Sequence, residues 1–476
     1  MQLPPTLQQV RSELAKRNLT AFCKLLDPRY ESARHIRELC EHLEAVERGD
    51  IKRLMVFEPP RHSKTYHVSE RFPAWAMGRK PTRQLILASY AAELAEGNSR
   101  RARNLLLHPH WPFATRLAQG STAVNRWHTT DGGVVIAAGV GGGMTGFGAD
   151  ILIVDDPLRD RADAESETVR ARQWGWYTDV ARTRLMPGAA IVLTSTRWHA
   201  DDLPGRILNS SSADQWIVLN MPALAEQDDQ LGRLEGEPLW PEWYGLDALN
   251  DLKRELGSRG WLALYQQRPT SAEGGLFKRD WWQRFDPLIM RRRGLKPRIL
   301  VVDAANKAGV ANDFSVATVW GKLNGFYYVM DLWRERVEYP ALKQRVRDLW
   351  EKWKVPLLIE DAGNGIALIQ DLRRPEHTAQ GDTLRALPVL AYDPGRANKI
   401  ARATVVTPIV EARLVHLPTD ADWVRDWIEE HAAFPSGAHD DQVDNTTSAL
   451  GWLEEHDASS DTVREMLSGP LRVSVG

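Results

Sequence analysis

Residues 53–72 read RLMVFEPPRHSKTYHVSERF. An apolar run, RLMVFE, ends in a Pro-Pro turn, and Lys64-Thr65 then open a helical pattern. Strand, tight loop and helix N-terminus in that order form an anion site. The first N–H groups of a helix have no partners within it, and its dipole favours negative charge. A lysine followed by a hydroxyl supplies a charge near the β and γ phosphates of a nucleotide and a ligand for Mg²⁺. The pattern G-x-x-x-x-G-K-[ST] has lost its glycines here, because Glu58 and Ser63 stand in their places. The loop can wrap a phosphate only if Ser63 tolerates the backbone angle that glycine adopts freely. On its own the motif is also compatible with an ordinary Ser-Lys-Thr loop.

Further apolar runs follow: QLILASY (84–90), GVVIAAG (133–139), DILIVDD (150–156), AAIVLTST (189–196) and WIVLNMP (216–222). Runs without polar alternation indicate strands buried on both faces, hence a mostly parallel sheet. DILIVDD ends in Asp155 and Asp156. The first is placed to hold Mg²⁺ and the second to orient or deprotonate an attacking water; the plain alternative is a cap for the next helix. The run 189–196 ends in Thr194-Ser195-Thr196, polar residues suited to sensing a γ-phosphate. The chain between Lys64 and Asp155 accommodates two strands, as in motors whose acid lies on a strand next to the phosphate strand. The Gly-rich stretch 137–150 reads as a flexible loop or a wide turn.

The second half opens with RILVVDAAN (298–306), FSVATVWGK (314–322) and FYYVMDLWRE (326–335). Asn324-Gly325 between the last two is a hairpin signal. Helices and strands then alternate, through VPLLIEDAG (355–363) and LPVLAYD (387–393), to a final helix opened by HDDQVDN (439–445). That order matches a ribonuclease-H-type fold. Asp303 and Glu360 fall at strand ends, and Asp440, Asp441 and Asp444 at the start of the last helix. Acids converging there would repel one another unless they held divalent metal, and two such ions could activate water and stabilise a leaving oxygen. Singly, each acid is as well explained as a cap or an ion-pair member. Asp361 and Asp313 are further candidates.

The expected organisation is a helical segment over 1–50, a nucleotide-binding core over 51–224, a Trp-, Pro- and charge-rich connector over 225–290, a ribonuclease-H-like domain over 291–456 and a flexible tail over 457–476. The chain carries 61 Lys and Arg against 63 Asp and Glu, a net charge of −2. No basic field covers the whole protein, so contact with nucleic acid would need local patches such as Arg100–Arg103, Lys278-Arg279 and Arg291–Arg293. Two cysteines, Cys23 and Cys40, form no disulfide framework or zinc site and fit a reducing compartment. No apolar run is long enough to span a membrane and no signal core opens the chain, so an intracellular location is expected. Most of the 19 tryptophans are expected in cores.

With both constellations in one chain, the sequence resembles the large terminase subunit of tailed bacteriophages, a DNA-packaging motor-nuclease. The matching segments include FEPPRHSKT, GVGGGMTGFGADILIVDDP, LTSTRWHADDLPGRI, GEPLWPEWY, LIEDAGNGIALIQDLR and FPSGAHDDQVDNTTSAL. The resemblance implies an α/β protein: an ASCE-type P-loop ATPase with a mostly parallel sheet, followed by a ribonuclease-H-like nuclease. It implies nucleotide contacts by Arg61, His62, Ser63, Lys64, Thr65, Asp155 and Thr196. Thr65 and Asp155 would hold Mg²⁺, and Asp156 would act on water. It implies ligation of two Mg²⁺ or Mn²⁺ by Asp303, Glu360, Asp440, Asp441 and Asp444, with Asp303, Glu360 and Asp441 catalytic. Two residues depart from the family pattern: Ser63 replaces glycine, and Asp156 stands where such motors often carry Glu. Glu165 could contribute there, and Arg101, Arg159 and Arg161 are candidates for an arginine acting in trans. Implied partners are double-stranded DNA, a portal protein, a small terminase subunit and further copies forming a ring, with a monomer in solution. The implied place is the host cytoplasm, docked on a procapsid. Two rivals remain at this stage: a helicase-class ATPase with a dead nuclease-like module, and a resolvase-like nuclease with a regulatory nucleotide domain.

Overall fold

Along the first parallel strand, Leu54 and Val56 enter one apolar core while Met55 and Phe57 enter another on the opposite face. A strand buried on both sides needs no polar alternation, which is why these runs read as continuous. The computed structural model describes residues 6–144, 146–269, 275–304, 314–377, 383–395 and 397–456. The chain divides into two compact units, Met1–Ser271 and Ala272–Gly476.

Unit 1 holds a seven-stranded sheet of β1 (Arg53–Phe57), β2 (Gln84–Ser89), β3 (Arg126–His128), β4 (Val134–Gly139), β5 (Ala149–Asp155), β6 (Leu185–Ser195) and β7 (Ile217–Asn220). The order is β3-β4-β2-β5-β6-β1-β7. All neighbours are parallel except the β3–β4 pair. The sequence reading sets the acid-bearing strand directly beside β1; instead β6 lies between β1 and β5. It pairs Phe57 with Ser195 and Asp155 with Thr194. One sheet edge thus collects the loop after β1, both carboxylates and the polar tip of β6. The helix after the loop runs as a π-helical turn, Tyr66–Arg71, into an α-helix, Phe72–Arg79. The amphipathic helix Arg34–Arg48 belongs to the same core.

Unit 2 holds β8 (Gln283–Phe285), β9 (Pro297–Asp303), β10 (Ser315–Leu323), β11 (Phe326–Glu335) and β12 (Leu357–Glu360). A separate ribbon pairs β13 (Glu376–His377) with β14 (Thr383–Leu384). Two more strands, β15 (Val389–Tyr392) and β16 (Val415–Pro418), complete the main sheet, ordered β15-β12-β9-β10-β11-β16-β8. Strands β9, β10 and β11 are antiparallel, and β12 joins β9 in parallel. Asn324 and Gly325 both take positive φ, 52° and 80°. That is the type I′ geometry whose twist suits a two-residue hairpin. The last helix, Asp441–Glu455, packs on β9 and β10.

The stretch 225–290 forms no body of its own. Leu249, Trp261 and Tyr265 pack with Ala223 in unit 1, whereas Leu276, Phe277 and Trp282 belong to the core of unit 2. The tail 457–476 and Asp313 lie outside the described residues. Among the described residues no helix is long and apolar enough to cross a membrane.

Candidate functional sites

The first site follows from where β1, β5 and β6 end. Lys64 Nζ donates to Thr196 Oγ1 at 2.6 Å and lies 3.1 Å from Asp156 Oδ2. Asp156 is fixed by the tip of β6: Thr196 N donates to its Oδ1 at 2.7 Å, and its own N–H donates to Thr194 O at 3.0 Å. Asp155 lies deeper. It accepts from Ser69 Oγ at 2.7 Å, Asn98 Nδ2 at 3.4 Å and Thr65 Oγ1 at 3.5 Å. Burial, then the charge of Asp156, pushes its carboxyl up to about 7. A pocket of about 330 Å³ opens beside these groups, lined by Arg61, Ser63, Lys64, Thr65, Asp156 and Thr196, with Tyr90 and Trp198 as aromatic wall.

The missing glycine has a structural answer. Ser63 adopts φ 78° and Arg61 φ 61°, so the loop keeps left-handed backbone where glycine would sit without strain. Such conformations cost about 1–2 kcal/mol per non-glycine residue. His62, read from the sequence as a nucleotide contact, turns its side chain away from the pocket. Its ring is fully buried and stacks on Tyr244, with centroids 5.2 Å apart. Burial pulls its pKa down to about 4. Of Thr194-Ser195-Thr196, the first gives a carbonyl and the last its N–H and hydroxyl, while Ser195 faces its own strand tip. Glu165 is held by Arg259 at 2.9 Å. Arg101 is taken by Glu70 at 2.6 Å, and Arg161 lies 3.8 Å from Glu165. Arg159 lines the pocket and pairs with Asp160 at 2.7 Å. Sequence reasoning missed Ser69 and Asn98. The signal was present: Ser69 falls four residues past Thr65, on the same helix face, and Asn98 is a buried polar residue of an amphipathic helix, Ala92–Leu105.

The second site lies where β9, β12 and the last helix meet. Ile359 is paired with Val302 in parallel register, so Glu360 follows beside Asp303. Asn445 fixes the helix to the sheet. Its Nδ2 donates to Val301 O at 3.1 Å and Val316 O at 3.4 Å, and its Oδ1 accepts from the Thr318 hydroxyl. Asp441 and Asp444 are buried as a result, and Asp303 is half-buried. Burial, then the charges of Asp444, Glu360 and Asp441, pushes Asp303 up to about 8. Burial likewise raises Glu360.

Three cations that the sequence reading did not single out balance this cluster. Lys399 Nζ bridges Asp440 at 2.7 Å and Asp444 at 2.8 Å, and Arg402 reaches Asp444 at 2.8 Å. Arg334 bonds Glu430 at 2.7 Å and lies 3.7 Å from Asp441. Among the described residues, no three acid, histidine or cysteine side chains are set closely enough to hold an ion by themselves. The expected ligand set is thus partly turned toward lysine and arginine, Asp440 most of all. Asp361 is exposed, and its N–H donates to Tyr392 O at 2.8 Å. The donor chemistry still suits a hard divalent cation: oxygen ligands, two of them, Asp303 and Glu360, raised first by burial and also by like charge nearby.

Residues 55–284 match the family model for the N-terminal part of the terminase large subunit, T4-like virus type, and residues 300–451 match the terminase RNaseH-like domain. The chain belongs to the terminase large-subunit family. Three solved structures are similar to it. The large terminase of a thermophilic bacteriophage is 12% identical, with TM-score 0.46, over 95% of this chain and 100% of that one. The HK97 bacteriophage large terminase is 10% identical, with TM-score 0.34, over 86% and 94%. The large terminase nuclease of a second thermophilic phage, with bound magnesium, is 16% identical, with TM-score 0.27, over 37% and 97%. No curated protein matches the sequence. The family assignment stands on the two family models, which between them cover both units.

Proposed function

We propose that the two sites described above carry the two activities of this family: ATP hydrolysis that drives double-stranded DNA into a procapsid, and metal-dependent cleavage of concatemeric DNA. The observation that carries this reading is the Lys64 ammonium, set between Thr196 and Asp156 at the end of a parallel sheet. Lys64 and the loop N–H groups bind the phosphates, with Arg61 at the rim. Asp156 orients the attacking water, and Thr196 reads the γ-phosphate through the hydroxyl that now meets Lys64. Thr65 and Asp155 here, and Asp303, Glu360, Asp441 and Asp444 in unit 2, would hold divalent metal, which when bound would supply charge neutralisation and an acidified water. In unit 2, Asn445 fixes the distance of the helix acids from the sheet acids, and Lys399 and Arg402 offset the charge of Asp444.

DNA would be held through its phosphates, so affinity should fall steeply with salt. Working partners would be a portal protein, a small terminase subunit and neighbouring copies in a ring, in the host cytoplasm at the procapsid. ATPase and plasmid-cleavage assays on the wild type, Lys64→Ala and Asp303→Ala test the reading. Each variant should lose one activity and keep the other. DNA-stimulated ATPase surviving Lys64→Ala would end the motor assignment; cleavage surviving Asp303→Ala would end the nuclease assignment.

A further inference from the structure

The segment GEPLWPEWY (236–244) stands out in the sequence, yet neither activity uses it. Its aromatic residues lie behind the phosphate loop. Tyr244 stacks on the His62 ring at 5.2 Å with planes 18° apart, and Trp240 packs on His35 at 5.3 Å. His35, from the helix Arg34–Arg48, is fully buried. Its Nε2 lies 3.3 Å from His62 O and 3.4 Å from Glu58 Oε1. Glu58 is also fully buried. A carbonyl can only accept, so His35 Nε2 carries the proton and donates. The same logic gives His62 a donating Nδ1, 2.9 Å from Pro60 O.

His62 sits between the two left-handed residues, Arg61 and Ser63. Holding its ring and its carbonyl fixes the peptide units on either side, and so the backbone angles of both neighbours. A second hold acts on the far side: Ser63 O accepts from His67 N at 3.2 Å and from His67 Nδ1 at 2.9 Å. His67 Nε2 in turn meets the Tyr30 hydroxyl at 3.0 Å. Glycine would adopt this loop shape freely; serine and arginine resist it, so the shape must be imposed by packing.

We propose that His35, Glu58, Trp240 and Tyr244 are positioning residues for nucleotide binding: a clamp that forces the glycine-free loop into its phosphate-binding shape. The inference rests on the ATP-site reading above. It makes a prediction that a merely structural role does not make. Loss of the clamp should be largely repaired by Ser63→Gly, which removes the need for it at one of the two left-handed positions and leaves only Arg61 to be held.

The test measures binding of a fluorescent ATP analogue, and KM and kcat for ATP, in full-length Tyr244→Ala, His35→Ala and Lys64→Ala. It repeats them for Tyr244→Ala and His35→Ala with Ser63→Gly added. Circular dichroism and thermal unfolding of the full-length chain report that each variant is folded, unit 1 included. Tyr244 is partly exposed, so its truncation keeps the test open should His35→Ala fail to fold. Expected are a tenfold or greater weakening of nucleotide binding in the clamp variants, seen in KM more than kcat, and recovery to within about threefold on adding Ser63→Gly. Two results would overturn the clamp: wild-type affinity in folded Tyr244→Ala, or no recovery with Ser63→Gly. Lys64→Ala separates the two claims. If it binds as the wild type does, the ATP-site reading itself fails; if it loses binding while the clamp variants keep it, only the clamp fails.

Discussion

Both units place carboxylates at a sheet edge, and they stabilise them in opposite ways. In unit 1 the two acids are divided among fixed partners. Asp155 goes to Ser69, Asn98 and Thr65, and Asp156 to Lys64 and the Thr196 N–H. In unit 2 the acids crowd one another, with Lys399 and Arg402 drawn in to balance Asp444. Like charge raises Asp155 as it raises Asp303, but the first arrangement is held by hydroxyl, amide and lysine partners before any ion arrives, while the second keeps more of the repulsion that an ion would relieve. Pre-organised donors suit a site that must bind and release nucleotide repeatedly, and mutual repulsion suits one whose function depends on metal.

The comparison can be broken most sharply at Lys64. Lys64→Ala should lower ATP turnover by about a thousandfold, the scale of a lost phosphate-clamping charge, and leave DNA cleavage intact. Asp303→Asn should abolish metal-dependent cleavage while raising the melting temperature of the metal-free protein, because it removes a carboxyl whose charged form is opposed in the folded chain first by burial and then by the neighbouring acids. A scan without metal that showed Asp303→Asn less stable than the wild type would refute stored repulsion.

A pH series sharpens the same point. The Asp303 carboxyl stands at about 8 in the folded chain, above its ordinary value of 3.8. Between those values the folded state keeps a proton that the unfolded state has released, so stability falls as pH rises through that window and levels off above it. The melting-temperature gap between Asp303→Asn and the wild type should therefore widen from pH 5 to pH 8 in chelator, and magnesium should narrow it. The smallest effect belongs to Ser63→Gly in an otherwise wild-type chain. Relief of left-handed strain, about 1–2 kcal/mol, is opposed by the extra freedom of glycine when unfolded, about 0.5–1 kcal/mol. Chemical denaturation should show a gain of no more than about 1.5 kcal/mol.

What the sequence made legible follows a physical rule. Lys64, Asp155, Asp156 and Thr196 were readable because each ends or follows an apolar strand, where a polar residue is conspicuous. The Asn324-Gly325 hairpin was readable because few dipeptides accept two positive φ values. The orientation of His62 was not readable, since a loop histidine faces ligand or core according to what lies behind it. Here that is Tyr244, far along the chain. Lys399 and Arg402 escaped notice for a similar reason: they are an ordinary polar helix face until the fold carries them to Asp444. Composition marked 225–290 as a connector, but it could not say that Trp261 would join one core and Trp282 the other.

The Lys64 ammonium, finally, is already in use: one donor meets a hydroxyl and its charge meets Asp156. On the function proposed above, a phosphate that recruited this lysine would take it from an acid that would then be free to act on water. Binding and arming would thereby be one exchange of counter-ions, the acid being kept quiet by the group that would later detect the fuel.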